Sequence, residues 1–162
     1  MSNFKRFKQK MFFKLISFWP PFLGAGIRIK SISSDLMSVE VELKRRFWNN
    51  NAVGVQFGGS IYAMTDPFYM LMLLEKLGKK YIIWDKAAHI RFRKPGRTKL
   101  IAKFELTPAI LTQIEEEIQK GNGRYDWTKL VEVKDPDGNL IAEVEKVIYF
   151  KKKEATAPAT WV

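Results

Sequence analysis

The apolar and polar residues of this chain alternate with a period of two in several separate segments, and this pattern predicts six strands. Alternation of this kind places one row of side chains on the buried face of a sheet and the other row toward solvent. The predicted strands span residues 27–32, 36–46, 81–93, 97–106, 125–133 and 140–150. The sequences Ser33-Ser34-Asp35 and Asp135-Pro136-Asp137-Gly138 predict turns that join the first pair and the last pair.

Two longer segments have helical spacing instead. Residues 1–19 place apolar side chains every three or four positions with lysines elsewhere on the helix surface, and Pro20 is expected to end this helix. Segment 58–77 is apolar nearly all round and is followed by a glycine, which is typical of a helix buried on most sides. Its Pro67 either kinks the helix or starts a second one with Asp66 as the N-cap.

The order of elements is a helix, two strands, a long buried helix, and then four strands with one helical insertion that begins at Thr107-Pro108. The predicted fold class is therefore α+β, with an antiparallel sheet wrapped around a long central helix. At 162 residues the chain fits one domain. We expect residues 1–21 to form an amphipathic helix packed on the domain, residues 22–150 to form the domain, and residues 151–162 to be a basic, flexible tail.

The composition excludes several kinds of chemistry and indicates an anionic partner. Lys and Arg number 28 against 17 Asp and Glu, a net charge of +11, which favours nucleic acid, an acidic membrane surface or a phosphorylated small molecule. Without cysteine, the chain has no disulfide, no thiol catalysis and no thiolate metal site. His89 is the single histidine, so we predict no metal site. The lack of cysteine and of a clear export signal predicts a cytoplasmic location.

The segment most informative for function runs from Asn51 to Gly59, and Asp66 follows seven residues later. Two glycines at the start of a helix let a ligand approach the backbone closely. The N–H groups of a first helical turn, together with the helix dipole, stabilise a developing negative charge, as in an oxyanion hole. Asp66 would lie two turns along this helix on an apolar surface, where a desolvated carboxylate is suited to act as a general base. In the alternative interpretation, Asp66 is a helix N-cap.

In its spacing this segment resembles the motif of the hotdog-fold acyl-CoA thioesterases, Asn-x-x-Gly-x-x-His-Gly-Gly followed by an acidic residue on the next helix. The matching residues are Asn51, Gly54, Gly58, Gly59 and Asp66. The segments WPPFLGAGI, GGSIYAMTDPFYMLML and YIIWDKAAHIRFRKPG are similar to an uncharacterised branch of tetrameric acyl-CoA thioesterases. The resemblance covers residues 15–150 and implies a hotdog fold with an extra N-terminal helix.

The resemblance also implies a reaction, the hydrolysis of an acyl-CoA thioester, with no cofactor apart from the coenzyme A of the substrate. The thioester carbonyl oxygen would point at the N–H groups of Phe57, Gly58 and Gly59. Asn51 would orient the carbonyl or the attacking water, and Asp66 would attack the thioester or activate that water. The identity of the acyl chain, and whether coenzyme A or an acyl-carrier protein carries it, stay open.

One departure from the motif concerns its histidine, which is Phe57 in this chain. In that family the histidine helps to position the thioester carbonyl. Its replacement leaves a second function open, that of a hotdog protein which binds acyl-CoA or lipid without cleaving it. The neighbouring Gln56 could supply an amide donor to the substrate, although adjacent residues in an extended segment tend to point apart.

Positive side chains cluster near the end of the third strand, and we predict that they bind the phosphates of coenzyme A. These candidates are Arg91, Arg93, Lys94 and Arg97, with residues 151–153 as a second group. A solvated strand face is the other interpretation of these residues, and His89 is interpreted as a surface or packed histidine. Nucleic acid is not expected, because basic residues are spread over the whole chain without a nucleic-acid fold signature.

The resemblance predicts a partner of the same sequence, because hotdog units pair through their edge strands. A homodimer or a dimer of dimers would also cover apolar surface that one small sheet cannot bury. Residues 4–19 are a second candidate contact, because a basic amphipathic helix can bind weakly to a membrane surface.

Overall fold

In the computed structural model, which describes Met11, Phe13 and residues 15–154, six strands form one antiparallel sheet. The strands of this described region are β1 (Ile27–Ile32), β2 (Ser38–Leu43), β3 (Tyr81–Phe92), β4 (Leu100–Glu105), β5 (Arg124–Lys134) and β6 (Leu140–Lys152). Their order across the sheet is β1-β2-β4-β5-β6-β3, so β1 and β3 are its edge strands. Every neighbouring pair is antiparallel, as predicted.

The helices after residue 19 are α1 (Pro20–Ala25), a 3-10 helix (Phe47–Asn49), α2 (Gly58–Ala63), α3 (Phe68–Leu77) and α4 (Pro108–Lys120). Helix α4 begins as its sequence predicts. The Thr107 hydroxyl oxygen accepts a hydrogen bond from the Ile110 N–H at 3.2 Å, and a proline fits the first helical position because no N–H donor is needed there. In the described part of the chain, no helix is both long enough and apolar enough to cross a bilayer.

The central helix predicted over residues 58–77 is interrupted at residues 64–67. Pro67 has no N–H to donate to a carbonyl of α2, and it stands immediately before α3, so it starts a second helix. Pro67 occupies the N-cap position of α3, and this helix has no side-chain cap. Asp66 is therefore not the N-cap, and it lies in the short connection between α2 and α3.

Helix α3 is the centre of the core, as its all-round apolar surface predicts. Its Phe68 and Tyr69 rings both lie 5.1 Å from the Phe104 ring of β4, measured between centroids. The Tyr69 ring is 5.3 Å from the Trp127 ring of β5 in an edge-to-face arrangement, a favourable geometry for aromatic pairs. Met72, one turn further along, is fully buried. These contacts fix α3 against the middle of the sheet.

At the N-terminal end, Pro20 begins α1 instead of ending the first predicted helix, because proline is tolerated in the first turn of a helix. Gly26 ends α1 with a φ of 79°, and a Cβ at this position would lie 2.8 Å from Asn49 Nδ2. Glycine is therefore required there both by the backbone and by the neighbouring side chain. The helix predicted over residues 1–19 lies largely outside the described residues. Within them, Phe13 is buried in the core.

At the C-terminal end, β6 continues two residues beyond the predicted domain boundary at residue 150. Lys151 pairs with Ile82 of β3, and Lys152 pairs with Tyr81. The apolar alternation ends at Phe150, but the backbone ladder continues because β3 still offers hydrogen-bonding partners at these positions. Residues 151 and 152 thus belong to the sheet and not to a tail. The remainder of the predicted tail, residues 155–162, lies outside the described region.

Candidate active site

The loop that precedes α2 forms one wall of a groove of about 460 Å³. The residues that line the groove include Asn51, Gln56, Gly58, Phe92, Arg93 and Lys94. The loop is fastened to the connection between β3 and β4, because the Gln56 N–H donates a hydrogen bond to the Gly96 carbonyl at 2.8 Å. The sequence motif therefore lies beside the end of edge strand β3.

Asn51 holds the shape of this loop through its side chain. Its Oδ1 accepts hydrogen bonds from the N–H groups of Val53 and Val55, both at 3.1 Å. Gly54 completes the turn with a φ of 75°, a value that glycine adopts without strain. The Asn51 Nδ2 group has no hydrogen-bond acceptor within residues 15–154, so it is the part of this side chain that a ligand can use.

Gln56 is directed into the protein and serves as an anchor. Only 2% of the residue is exposed, and its Nε2 donates to the carbonyl of Thr98 at 3.1 Å and to that of Leu43 at 3.4 Å. Its Oε1 is buried and accepts no hydrogen bond from the described residues. Both N–H donors of the amide are therefore already engaged, and Gln56 does not present a donor to a substrate in this conformation.

Phe57 is directed outward, with 55% of its surface exposed. Its ring covers Gly59 so closely that a Cβ on Gly59 would lie 2.4 Å from Phe57 Cε1. A Cβ on Gly58 would lie 3.0 Å from the Cζ atom of Phe92 on β3. Both glycines thus stand where an aromatic ring lies against the backbone, and side chains at these positions would displace the rings.

The backbone N–H groups of this segment fall into two sets. Those of Ser60 and Ile61 donate to the Phe57 carbonyl, and that of Phe57 donates to the Asn49 carbonyl at 3.1 Å. Phe57 was expected to offer its N–H group to a substrate, but this hydrogen bond occupies it. The N–H groups of Gly58 and Gly59 have no acceptor in the described region, and Gly58 lines the groove.

Asp66 lies apart from the residues that line this groove. The prediction that Asp66 is a desolvated carboxylate on an apolar helix surface is wrong, because it lies between α2 and α3 with 49% of its side chain exposed. Its Oδ1 accepts a hydrogen bond from Lys146 Nζ at 2.9 Å. The same ammonium lies 2.8 Å from Oδ1 of Asp85 on β3. Lys146 is only 1% exposed, so one buried lysine bridges two carboxylates. We call Asp66, Asp85 and Lys146 the carboxylate–lysine cluster.

The electrostatics of the cluster follow from burial and pairing. Burial by itself lowers the pKa of Lys146, but the Asp85 and Asp66 carboxylates outweigh it and hold this pKa above its usual value of 10.5. Burial raises the pKa of Asp85 above its usual 3.8, and the Lys146 ammonium offsets part of that rise. The Tyr62 ring centroid lies 5.8 Å from the ammonium. Burial raises the pKa of Tyr62, so its phenol stays neutral near pH 7.

Lys146 and Asp85 were not identified from the sequence, although a signal for Lys146 is present. On β6, Ala142, Val144, Ile148 and Phe150 form the buried row of the strand, and Lys146 occupies the remaining position of that row. A charged residue inside an otherwise apolar series is unusual, because an unpaired charge is costly to bury. The break in the alternation at position 146 therefore marks a buried charge that needs a partner, but it does not identify Asp66 or Asp85 as that partner.

The predicted phosphate-binding residues divide between two positions. Arg93 and Lys94 line the groove, whereas Arg91 and Arg97 are exposed and do not. The Arg93 guanidinium pairs with Glu143, with 2.7 Å from Nε to Oε2, and Lys94 Nζ donates to Asn139 Oδ1 at 3.0 Å. His89 is exposed, and Arg91 follows it on the same face of β3.

A second and larger groove, of about 820 Å³, lies at the other end of β3. Tyr81, Arg124 and residues 151–153 line it. The 12 residues of β3 separate the two grooves, a distance of roughly 36 Å along an extended strand. Residues 151–153 therefore do not supplement the groove at Gly58 within one chain. In the described region, no group of three or more His, Cys, Asp or Glu residues could hold a metal ion.

Solved structures with the same fold support the assignment of the architecture. A Pseudomonas aeruginosa protein of unknown function, described as a probable thioesterase, superposes with a TM-score of 0.78 at 16% identity, over 89% of this chain and 95% of its own. A Haemophilus influenzae thioesterase gives a TM-score of 0.60 at 13% identity, over 86% of this chain and 87% of its own. A third similar structure is from Chlorobaculum tepidum and has unknown function. Its TM-score is 0.67 at 13% identity, over 91% of this chain and 94% of its own.

These likenesses confirm the predicted hotdog fold, in which an antiparallel sheet surrounds a central helical segment with a short helix before it. No curated protein matches the sequence. The family model described as domain of unknown function DUF4442 matches residues 8–150. This chain has the hotdog fold and structural neighbours described as thioesterases, and, since the match spans most of the 162 residues, it belongs to the DUF4442 family.

Proposed function

We propose that the protein is a thioesterase that hydrolyses acyl-CoA. The observation that carries this proposal is the groove in which the Gly58 N–H, without an acceptor in the described region, lies beside the Asn51 amide and Phe92. Such a groove can receive a polarised carbonyl group against the backbone. The descriptions of two structural neighbours as thioesterases support the same reaction class.

The proposed chemistry is attack of water on the thioester. The carbonyl oxygen accepts hydrogen bonds from Gly58 and Gly59, and these donors stabilise the negative charge of the tetrahedral intermediate. Asp66 takes a proton from the attacking water. When the intermediate collapses, the carbon–sulfur bond breaks, the acid is released, and the coenzyme A thiolate takes up the proton that Asp66 accepted from water.

The position of Asp66 supports a site shared by two copies of the chain. Asp66 does not line the groove of its own chain, so we propose that Asp66 of one copy reaches a thioester held in the groove of the other. Edge strand β3 supports such assembly, since a long unpaired edge is a ready template for pairing with a second chain.

Arg93 and Lys94 are the residues of the groove that would bind the phosphates of coenzyme A. Each is held by a neighbour, Arg93 by Glu143 and Lys94 by Asn139. A cationic side chain that is already oriented loses less conformational freedom when it binds an anion. Arg91 and Arg97 are exposed outside the groove, where they would at most attract the ligand over longer distances.

The test is thiol release from a panel of acyl-CoA substrates of increasing chain length. We expect the wild type to turn over at least one member and Asp66→Asn to lower kcat by about 100-fold or more, the usual contribution of a general base. Asp126→Asn is the matched control, because Asp126 on β5 forms an exposed ion pair with Lys86 on β3. Equal hydrolysis by wild type and Asp66→Asn would remove Asp66 from this role.

A second candidate function is binding of acyl-CoA or lipid without cleavage, and Phe57 favours it. Its ring lies on Gly59, where it can restrict access to one of the two N–H groups. This candidate predicts that the wild type binds a long-chain acyl-CoA in calorimetry and releases no thiol. Thiol release that depends on Asp66 would exclude it.

A further inference from the structure

We propose that Lys146 and Asp85 are positioning residues for Asp66, an inference that rests on the proposed function. They hold the Asp66 carboxylate in one orientation toward the substrate. Lys146 reaches this carboxylate from β6, and Asp85 contacts Lys146 from the adjacent strand β3. The contacts are 2.9 Å from Lys146 Nζ to Asp66 Oδ1 and 2.8 Å from the same nitrogen to Asp85 Oδ1.

Lys146 is buried at a position where an apolar residue would be expected. Its position in β6 lies between Val144 and Ile148, in a row that is otherwise apolar. An aliphatic side chain would fill such a position without removing a charge from water. Replacing a buried ion pair by apolar residues is often neutral or stabilising. A lysine that is 1% exposed is therefore not explained by stability, whereas control of a carboxylate at the surface explains it.

The two carboxylates that contact Lys146 differ in their exposure to solvent, and Asp66 is the more exposed one. The Asp66 side chain is 49% exposed and that of Asp85 is 22% exposed. Lys146 holds Asp66 through Oδ1, and the Tyr62 phenol interacts with the same carboxylate. The ammonium thus fixes one oxygen, and the half-exposed carboxylate stays accessible to the attacking water.

Asp85 gives Lys146 a fixed position that does not depend on Asp66. It lies on β3 at the point where the register with β6 shifts between Asp85 and Ala87. The irregularity allows the strand to turn the Asp85 carboxylate inward toward Lys146. The Tyr62 ring, 5.8 Å from the ammonium on the side of α2, adds a cation–π contact. The lysine is therefore held from the sheet and from the helical layer.

The test compares three variants with the wild type: Asp85→Asn, Lys146→Met and the double variant Lys146→Met/Asp85→Asn. We expect kcat to fall by about 10-fold in Asp85→Asn and by about 100-fold in the other two, while KM stays within about twofold, because an interaction needed in the transition state is lost. Lys146→Arg should recover part of the kcat. Lys86→Met is the matched control, since Lys86 is an exposed lysine next to Asp85 in sequence.

The double variant separates positioning from folding. Lys146→Met alone leaves the Asp85 carboxylate without its cationic partner. The double variant removes both charges, and its melting temperature should be close to that of the wild type. Recovery of wild-type kcat in the double variant would overturn the inference, because it would show that only the stranded charge had mattered. Wild-type kcat in Asp85→Asn would overturn the role of Asp85 as a positioning residue.

Crystal structures of the wild type and the double variant give a readout that does not need activity. We expect one conformation of Asp66 in the wild type and several in the double variant. If the wild type hydrolyses no acyl-CoA, the proposed function fails, and these structures still decide the inference. An unchanged, single Asp66 conformation in the double variant would overturn it.

Discussion

Gly58 lines the groove, and a methyl group added at this residue would contact an aromatic ring. A Cβ there would be 3.0 Å from Phe92 Cζ, which is tighter than ordinary contact. We expect Gly58→Ala to lower kcat/KM by about 10-fold or more, which is less than the roughly 100-fold cost of losing an oxyanion donor entirely, because the N–H is displaced and not removed. The melting temperature should change little, because the Phe92 ring is 55% exposed and can move.

Gly24→Ala is the matched control for this variant, since nothing lies within 4 Å of a Cβ at that position. Thiol release by the two purified variants makes the comparison. Wild-type kcat/KM in Gly58→Ala would mean that the backbone at Gly58 does not approach the reacting carbonyl.

Lys146 also makes the stability of the fold depend on pH. Its pKa in the folded chain lies above 10.5. The part of the folding free energy that depends on protonation of Lys146 is therefore fully present below pH 10.5 and is lost as the pH rises through the folded-state pKa. We expect the wild-type free energy of unfolding to fall more steeply above this pH than that of Lys146→Met/Asp85→Asn. Denaturant unfolding at several pH values measures both slopes, and parallel slopes would contradict the assigned shift.

At the scale of elements, Gln56 connects the motif loop to two strands. Its amide donates to the Leu43 carbonyl at the end of β2 and to the Thr98 carbonyl before β4. Gln56→Leu leaves both carbonyls without this partner, and we expect a loss of about 1–3 kcal/mol in the free energy of unfolding. Gln113→Leu on the exposed face of α4 is the control. Equal stability of the two variants in urea would show that Gln56 is not an anchor.

The sequence predicted the elements well where local rules govern them and less well where tertiary contacts do. Thr107 and the alternation in β2 depend on neighbours along the chain, so both were recognisable. Pro67 left two outcomes open, because the lack of an N–H donor at a proline is compatible both with a kink in one helix and with the start of a new helix. The choice between them depends on how α3 packs against Phe104 and Trp127.

The candidate site was predictable in part for the same reason. Asn51, Gly58 and Gly59 form one continuous motif and lie around one groove or its margin. Lys146 is 80 positions from Asp66, and no local pattern reveals that the two side chains meet. The inward direction of Gln56 likewise depends on carbonyls of distant segments. Contacts between remote parts of the chain are what a single sequence lacks.

At the scale of the whole molecule, the proposed site requires more than one copy of the chain. The groove and Asp66 are separate within one chain, and β3 offers an edge of 12 residues. We expect light scattering on purified protein to give a mass of at least two chains at micromolar concentration. A monomer that hydrolyses acyl-CoA at full rate would contradict the shared site.

The most direct measurement is a crystal structure of Asp66→Asn with a bound acyl-CoA substrate. We expect the thioester carbonyl oxygen to accept a hydrogen bond from the Gly58 N–H, with the phosphates near Arg93 and Lys94. Residue 66 of a second copy should face the carbonyl carbon. A substrate bound elsewhere, such as in the groove lined by residues 151–153, would contradict the proposed site. So would a carbonyl oxygen that points away from Gly58.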